Sequence, residues 1–321
     1  MAVVLASTRT MSRDDWLAMR RRGIGGSDIA AICGLSPWRS PMAVYLDKIG
    51  ELKEEEESER MYFGKILEDV IAKEFSKRTG LKVRRVNAIL QHPKYQWALA
   101  NIDRKIVGGN IANGPGVLEV KNTSEWNKGE WDRDKLPDYY YLQFQWYLGV
   151  TGWTWGYFAT LIGGQQLYIS PEPIRRDEEV INYLFKIAGE FWRMVINKTP
   201  PAIDGTQAST EVLNALYPEG TENEVLILDH DLETPELLKQ HDILKANIDQ
   251  VEAEFEAVKN KLKNKLGEHV LAEFHGRKIR WTNVVSNRLD SKLLRAEQPK
   301  IAEQYTKPGC SRRFTVDPVK E

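Results

Sequence analysis

The heptapeptide GVLEVKN, residues 116–122, decides the fold. Read as a strand, it sends alternate side chains to opposite faces. Leu118 and Val120 then point into a core, and Glu119 and Lys121 share the other face. An exposed Glu-x-Lys is ordinarily a surface ion pair of little energetic weight. Here the opposite face is apolar, which makes this a core strand. A strand-like segment upstream carries Asp103, and a helical segment before it, GKILEDVIAKEF (64–75), carries Glu68 beside Leu67 at the edge of an apolar stripe. Carboxylates converging from a helix and two strands suit Mg²⁺ or Mn²⁺, which take oxygen ligands in octahedral geometry. A lysine beside such an ion can orient a water, help it lose a proton, and offset charge on a phosphorane-like transition state.

Moving outward, 11–22 reads as a helix with Ser12 as N-cap and Asp14 and Asp15 in its first turn. Ser27 reads as the N-cap of a second helix ending near Cys33 and Gly34, and 41–49 as a third that stops at Gly50. The glutamate run of 51–60 reads as solvated chain without function. Phe63, Ile66, Leu67, Val70, Ile71 and Phe75 fall on one stripe of a helix over 62–79. Strand-like runs follow at 82–90, 95–107 and, after a turn rich in glycine and asparagine, 116–122. The aromatic segment 138–152 reads as a helix, 154–170 as a hairpin around Gly163 and Gly164, and 177–197 as an amphipathic helix. KTPPAIDG then breaks the pattern, giving a domain over 1–205 and an extension over 206–321. The extension carries a long charged helix at 234–266 with a heptad-like apolar seam, a hairpin turning at His275 and Gly276, a short helix near 291–305 and a final strand RRFTV.

The 321 residues and 42% hydrophobic content suffice for one good core and a second, smaller unit. The net charge of −1 argues against a diffuse electrostatic grip on nucleic acid, so any such binding relies on local patches, metal ions or enclosure. Cys33 and Cys310 form no zinc spacing, disulfide framework or iron–sulfur set. With no basic leader and no long apolar run, a cytoplasmic protein without membrane spans is expected. The local patch that stands out is RRRGIGGSD, residues 20–28. Arginines beside a glycine turn and a helix start make a natural anion site. The plain alternative is a solvated arginine cluster before an ordinary cap.

The order helix-Glu, Asp, Glu-x-Lys resembles the PD-(D/E)xK nuclease superfamily. Five separated motifs narrow the resemblance to the YqaJ-like viral recombinases, which include the phage lambda exonuclease: WLAMRRRGIGGSDIAAICGLSPW, FGKILEDVIAKEF, ANIDRKI, GVLEVKN and YYLQFQWYLGVTG, in that order over about 12–205. The tail over 226–316 resembles the extension of a prophage member of the family. The resemblance implies an α/β (α+β) nuclease core with a central mixed β-sheet flanked by helices, and the C-terminal helical and hairpin extension. It implies a 5′→3′ exonuclease that converts linear duplex DNA to 3′ single-stranded overhangs for recombination by two-metal hydrolysis, with two Mg²⁺ or Mn²⁺ ions per site. Asp103, Glu119 and the Val120 carbonyl are then metal ligands, Glu68 holds the second metal, and Lys121 acts on the water. Gln143 and Gln145 match a Q-x-Q helix, one of them supporting the lysine or a phosphate; by their residues alone they equally make a polar edge on an aromatic helix. Arg20 and Ser27, with Asn101 where the family often has serine-proline before the aspartate, become the 5′-phosphate pocket, flanked by Arg21 and Arg22. Implied partners are linear double-stranded DNA, a single-strand annealing protein of RecT or YqaK type docking on the tail, and further copies in a ring, a trimer, within a bacterial host carrying the prophage. A structure-specific endonuclease on the same fold and a catalytically silent DNA-end scaffold are the competing readings.

Overall fold

The computed structural model describes residues 1–52, 58–107, 114–131, 136–221, 224–307 and 312–317. The glutamate run, the glycine- and asparagine-rich turn before the GVLEVKN strand, and Cys310 lie largely or wholly outside them. Two compact units divide the chain, Met1–Pro218 and Glu219–Glu321.

In chain order the first unit contains β1 (Val3–Ser7), α1 (Arg13–Arg21), α2 (Gly26–Ile32), α3 (Pro41–Ile49), α4 (Glu59–Thr79), β2 (Lys82–Arg85), β3 (Ala88–Gln91), β4 (Leu99–Ala100), β5 (Arg104–Val107), β6 (Gly116–Thr123), α5 (Asp138–Thr151), β7 (Trp155–Ile162), β8 (Gln166–Ile169), β9 (Ile174–Arg175), α6 (Glu178–Asn197) and α7 (Gln207–Leu216). The main sheet runs β2-β5-β6-β7-β8, with β9 also on β7. It is mixed: β6 and β7 are parallel, joined through α5, and the remaining pairs are antiparallel. A small second sheet orders β1-β3-β4.

The segment over 82–90 reads as one strand, yet it splits between the two sheets. Asn87 stands at φ 46°, a left-handed conformation that interrupts a strand and that asparagine tolerates. The apolar segment Val3–Ser7 forms β1 by pairing with β3.

Two apolar layers clamp the main sheet. On one face α4 lays Ile71, Ala72 and Phe75 over Ile106, Leu118, Val120 and Trp155. On the other, α2, α5 and α6 bury Ile29, Phe144, Trp146 and Leu184 against Phe158 and Val117. β6 is therefore buried on both sides, as central strands of parallel pairs are. The expected α4 stripe is only half realised: Ile71 and Phe75 are buried, but Phe63, Ile66 and Val70 are about half exposed. An α-helix can turn only part of so wide an apolar face onto a flat sheet, and here the Ile71–Phe75 side meets it.

Three further boundaries move. The first unit extends past Gly205 to Pro218, because α7 folds back and contributes buried Val212 to the same core. In the second unit, α8 (Thr234–Leu266) has the bounds its heptads suggested, and β10 (Leu271–Phe274) and β11 (Arg277–Arg280) form the hairpin with both His275 and Gly276 at positive φ. The short terminal helix is two, α9 (Ser291–Glu297) and α10 (Pro299–Gln304), divided before Pro299. RRFTV forms no strand. Among the described residues no helix is long and apolar enough to cross a membrane.

The two faces of α4 give unequal costs. Phe75→Ala is expected to lower stability by about 3–5 kcal/mol, and Val70→Ala by less than about 1 kcal/mol, in urea titrations of the full chain.

Candidate active site

Pairing of β5 with β6 sets Arg104 opposite Leu118, which brings the preceding Asp103 alongside Glu119 and Val120. Asp103 accepts a hydrogen bond from the Val120 N–H at 2.9 Å. Glu119 is 1% exposed. Its Oε1 meets the Lys121 ammonium at 2.8 Å and accepts from the Gln143 amide at 2.8 Å. The same Gln143 amide nitrogen donates to the Tyr147 hydroxyl at 2.9 Å, and its oxygen lies 3.4 Å from Lys121 Nζ. The Lys121 ammonium stands 4.7 Å above the Tyr140 ring. Glu119 Oε2 is buried and has no hydrogen-bond partner.

This arrangement is electrostatically strained. Burial, and then the neighbouring Glu119 carboxylate, push Asp103 up to about 7. Burial also raises Glu119, against the pull of Lys121. Burial acts to lower the Lys121 ammonium, but Glu119 and Asp103 outweigh it and hold the group above its ordinary value, so it is a cation at neutral pH.

One cavity of about 220 Å³ extends from this cluster to the glycine turn. Asp103, Glu119, Lys121, Gln143 and Tyr147 line one end, and Arg20, Gly25, Gly26 and Ser27 the other. Ser27 is not the N-cap of α2. Gly25 takes that place, with its N–H donating to Asp28 at 2.9 Å. Ser27 lies inside the first turn and its hydroxyl accepts from the Arg20 guanidinium at 2.7 Å. Arg20 also lies 4.8 Å from the Trp16 ring. Gly26 is obligatory, since a Cβ there would overlap the Tyr147 ring. Asn101 joins the wall, with its amide turned so that the oxygen accepts from Trp16 Nε1 at 3.2 Å.

A family model, the YqaJ-like viral recombinase domain, matches residues 15–154, which hold every residue of this cavity. Protein YqaJ of Bacillus subtilis strain 168 is 41% identical over 322 residues, spanning 99% of this chain and 98% of its own length. The chain belongs to the YqaJ-like viral recombinase family. Protein R354 of Acanthamoeba polyphaga mimivirus is 28% identical over 145 residues, 43% of this chain and 26% of that protein. Among solved structures, an alkaline exonuclease from Laribacter hongkongensis aligns at a TM-score of 0.48 and 20% identity, covering 58% of this chain and 94% of that one.

Not every residue singled out within this family segment reaches the cavity. Gln145 is fully buried and ties α5 to the next elements, donating to the Arg175 carbonyl at 2.8 Å and accepting from the Asp177 N–H at 2.9 Å. Residues two apart on a helix face different ways, so Gln143 and Gln145 cannot both serve the site, and Gln145 is a structural cross-link rather than a DNA contact. Arg21 is turned to Asp47 at 3.5 Å, and Arg22 lines a separate cavity with Trp97 and Trp192. Glu68 is close enough for Asp103 to raise its pKa after burial has done so, but its carboxylate pairs with Arg104. Among the described residues, no group of three His, Cys, Asp or Glu side chains is gathered for a metal ion. Two observations still suit a divalent cation. Glu119 presents an unpartnered buried oxygen, and its carboxylate raises the proton affinity of the buried Asp103 beside it.

Several residues of the site were not singled out from the sequence. Tyr147 follows Gln143 by four residues, which places both on one helix face. Asp28 sits at the third helical position and makes a capping box, a legible signal. Its partners Arg39 and Lys48, at 2.9 and 2.7 Å, carry no local signal at all.

Folded, Asp103 keeps its proton to about pH 7, whereas unfolded it loses it near pH 3.8. Its contribution to stability is therefore complete below the unfolded value and is lost as pH rises through the folded one. In EDTA, the melting temperature is expected to fall between about pH 4 and pH 7, and Asp103→Asn to reduce that fall. Scanning calorimetry across the interval checks both.

Proposed function

We propose that this protein is a divalent-metal-dependent exonuclease that degrades one strand of linear duplex DNA from a 5′-phosphorylated end. The observation that carries the reading is the single cavity with Arg20 and Ser27 at one end and Asp103, Glu119 and Lys121 at the other. A nuclease that reads a chain terminus needs an anchor for the terminal phosphate beside its hydrolytic groups. A terminal phosphate carries more negative charge than a diester, so a guanidinium with a hydroxyl discriminates the two.

Each residue has a task in this reading. Arg20 and Ser27 bind the terminal phosphate, with Asn101 on the same wall. Asp103, Glu119 and the Val120 carbonyl hold the metal ions, and Glu68 joins them on leaving Arg104. When bound, a divalent ion supplies Lewis-acid polarisation of the phosphodiester. Lys121, cationic and held by Glu119 and Gln143, orients the attacking water and balances charge on the phosphate as it becomes five-coordinate. Gln143 links the two ends, since it touches Glu119, Lys121 and Tyr147, and Tyr147 packs on Gly26 beside Ser27. The product, a 3′ single-stranded tail, is the substrate of a single-strand annealing protein.

The test is digestion of a linear duplex phosphorylated at the 5′ end of one strand only, with Mg²⁺ and with EDTA. Selective loss of the phosphorylated strand, abolished by EDTA, is expected. Lys121→Ala is expected to slow cleavage by about 10²–10³-fold, and Arg20→Ala to reduce the preference for the phosphorylated strand by about 10–100-fold. Equal loss of both strands removes the phosphate pocket from the reading, cutting of closed circular duplex replaces an exonuclease with an endonuclease, and absence of cleavage with any divalent ion leaves a DNA-end scaffold.

A further inference from the structure

The second unit offers an apolar surface that the nuclease reading leaves unused. Along α8, Leu237, His241, Leu244, Ile248, Val251, Phe255, Val258 and Leu262 follow one another in alternating steps of four and three residues. That spacing averages 3.5 residues, the period of a helix supercoiled against another helix rather than of one resting on a globular core. The apolar members of the seam are between 37 and 64% exposed, so no described part of the second unit covers them.

The order of residues along the seam identifies the occupant. Set against a reversed copy of itself, the seam pairs Leu237 with Leu262, His241 with Val258, Leu244 with Phe255 and Ile248 with Val251, each layer matching one a position with one d position. Set against a parallel copy, it stacks Phe255 on Phe255 and His241 on His241, and puts valines at two d positions where parallel dimers favour leucine. Charge points the same way. From Ala257 to Leu266 the helix carries Lys259, Lys261, Lys263 and Lys265 and no acidic residue, while Glu236 and the preceding Asp231 and Glu233 lie at the other end. A parallel pair sets the two lysine clusters side by side. A reversed pair sets each beside the acidic end of its partner and aligns Lys245 with Glu252 on the seam's edge.

We propose that α8 is a self-association element through which two copies of this protein pair as an antiparallel coiled coil. Each helix of the pair is about 50 Å long, at about 1.5 Å per residue. The proposal rests on α8 alone and stands or falls independently of the nuclease reading.

Site-directed cross-linking of the full chain tests it, in a background carrying Cys33→Ser and Cys310→Ser. Leu237 and Leu262 lie about 37 Å apart along one helix, so they cannot be joined within a chain. Mixing Leu237→Cys chains with Leu262→Cys chains and oxidising is expected to give covalent dimers, with neither variant linking to itself. Linkage within either variant alone means a parallel pair and overturns the proposal. No linkage in the mixture means that a different protein covers the seam, or none does, and overturns it too. Light scattering supplies the second measurement. Ile248→Asp with Phe255→Asp is expected to halve the mass of the assembly, and an unchanged mass overturns the proposal.

Discussion

Two carboxylates, Asp103 and Glu119, are buried side by side on adjacent strands, and the arrangement of the first unit follows from keeping them there. Apolar collapse alone would expel such a pair, because each ionised oxygen loses its hydration and repels the other. They persist because β6 is locked on both faces by apolar layers, and because three donors are aimed at them: the Val120 N–H, the Lys121 ammonium and the Gln143 amide. Those donors leave one oxygen of Glu119 bare. Glu119 and Lys121 thus set charge on a strand whose other inward side chains, Val117, Leu118 and Val120, are apolar.

The opposite end of the cavity is organised by a third buried acid. Asp28, fully buried, takes ion pairs from Lys48 at 2.7 Å, Arg39 at 2.9 Å and Arg20 at 3.5 Å. Burial opposes its ionisation, but the three cations together hold it below the usual carboxylate range. Lys48 also donates to the Arg20 carbonyl at 3.2 Å, so α3 fastens the end of α1 to the start of α2. Asp47 neutralises part of the surplus through Arg39 and Arg21. Arg20, Arg21, Arg39 and Lys48 outnumber the two aspartates, so the glycine turn stays electropositive opposite an acidic strand pair. The cavity is polarised from end to end by side chains already held in ion pairs, and charges oriented in advance act strongly on a bound anion.

Most periodic elements were legible in the sequence to within a residue or two, although α4 begins three residues before the start its stripe suggested. The bounds of α3, α6 and α8 follow from Ser40 and Gly50, from Asp177 and from the heptads, since caps and periods are local chemistry. The face shared by Glu119 and Lys121 was equally legible, because alternation along a strand needs no knowledge of what lies across it. Pairing was not. β1 is a strand only because β3 lies beside it, and RRFTV, which reads as a strand, is irregular. α4 has enough apolar residues for two faces, and only contact with the sheet selects which is buried. Ser27 has the composition of a cap and sits two residues past Gly25, too deep to be one.

By itself the sequence determined most of the helices and the shared face of the Glu-x-Lys pair, because each depends on residues within a few positions of one another, and it determined the family through the order of five motifs. Tertiary structure alone decided that Arg20 and Ser27 open onto the same cavity as Asp103 and Glu119, that Gln143 rather than Gln145 reaches it, and that Glu68 is taken up by Arg104. Those outcomes depend on segments up to about a hundred residues apart being packed against each other. The energy that selects among them is the burial of charge and volume at contacts that no local pattern encodes.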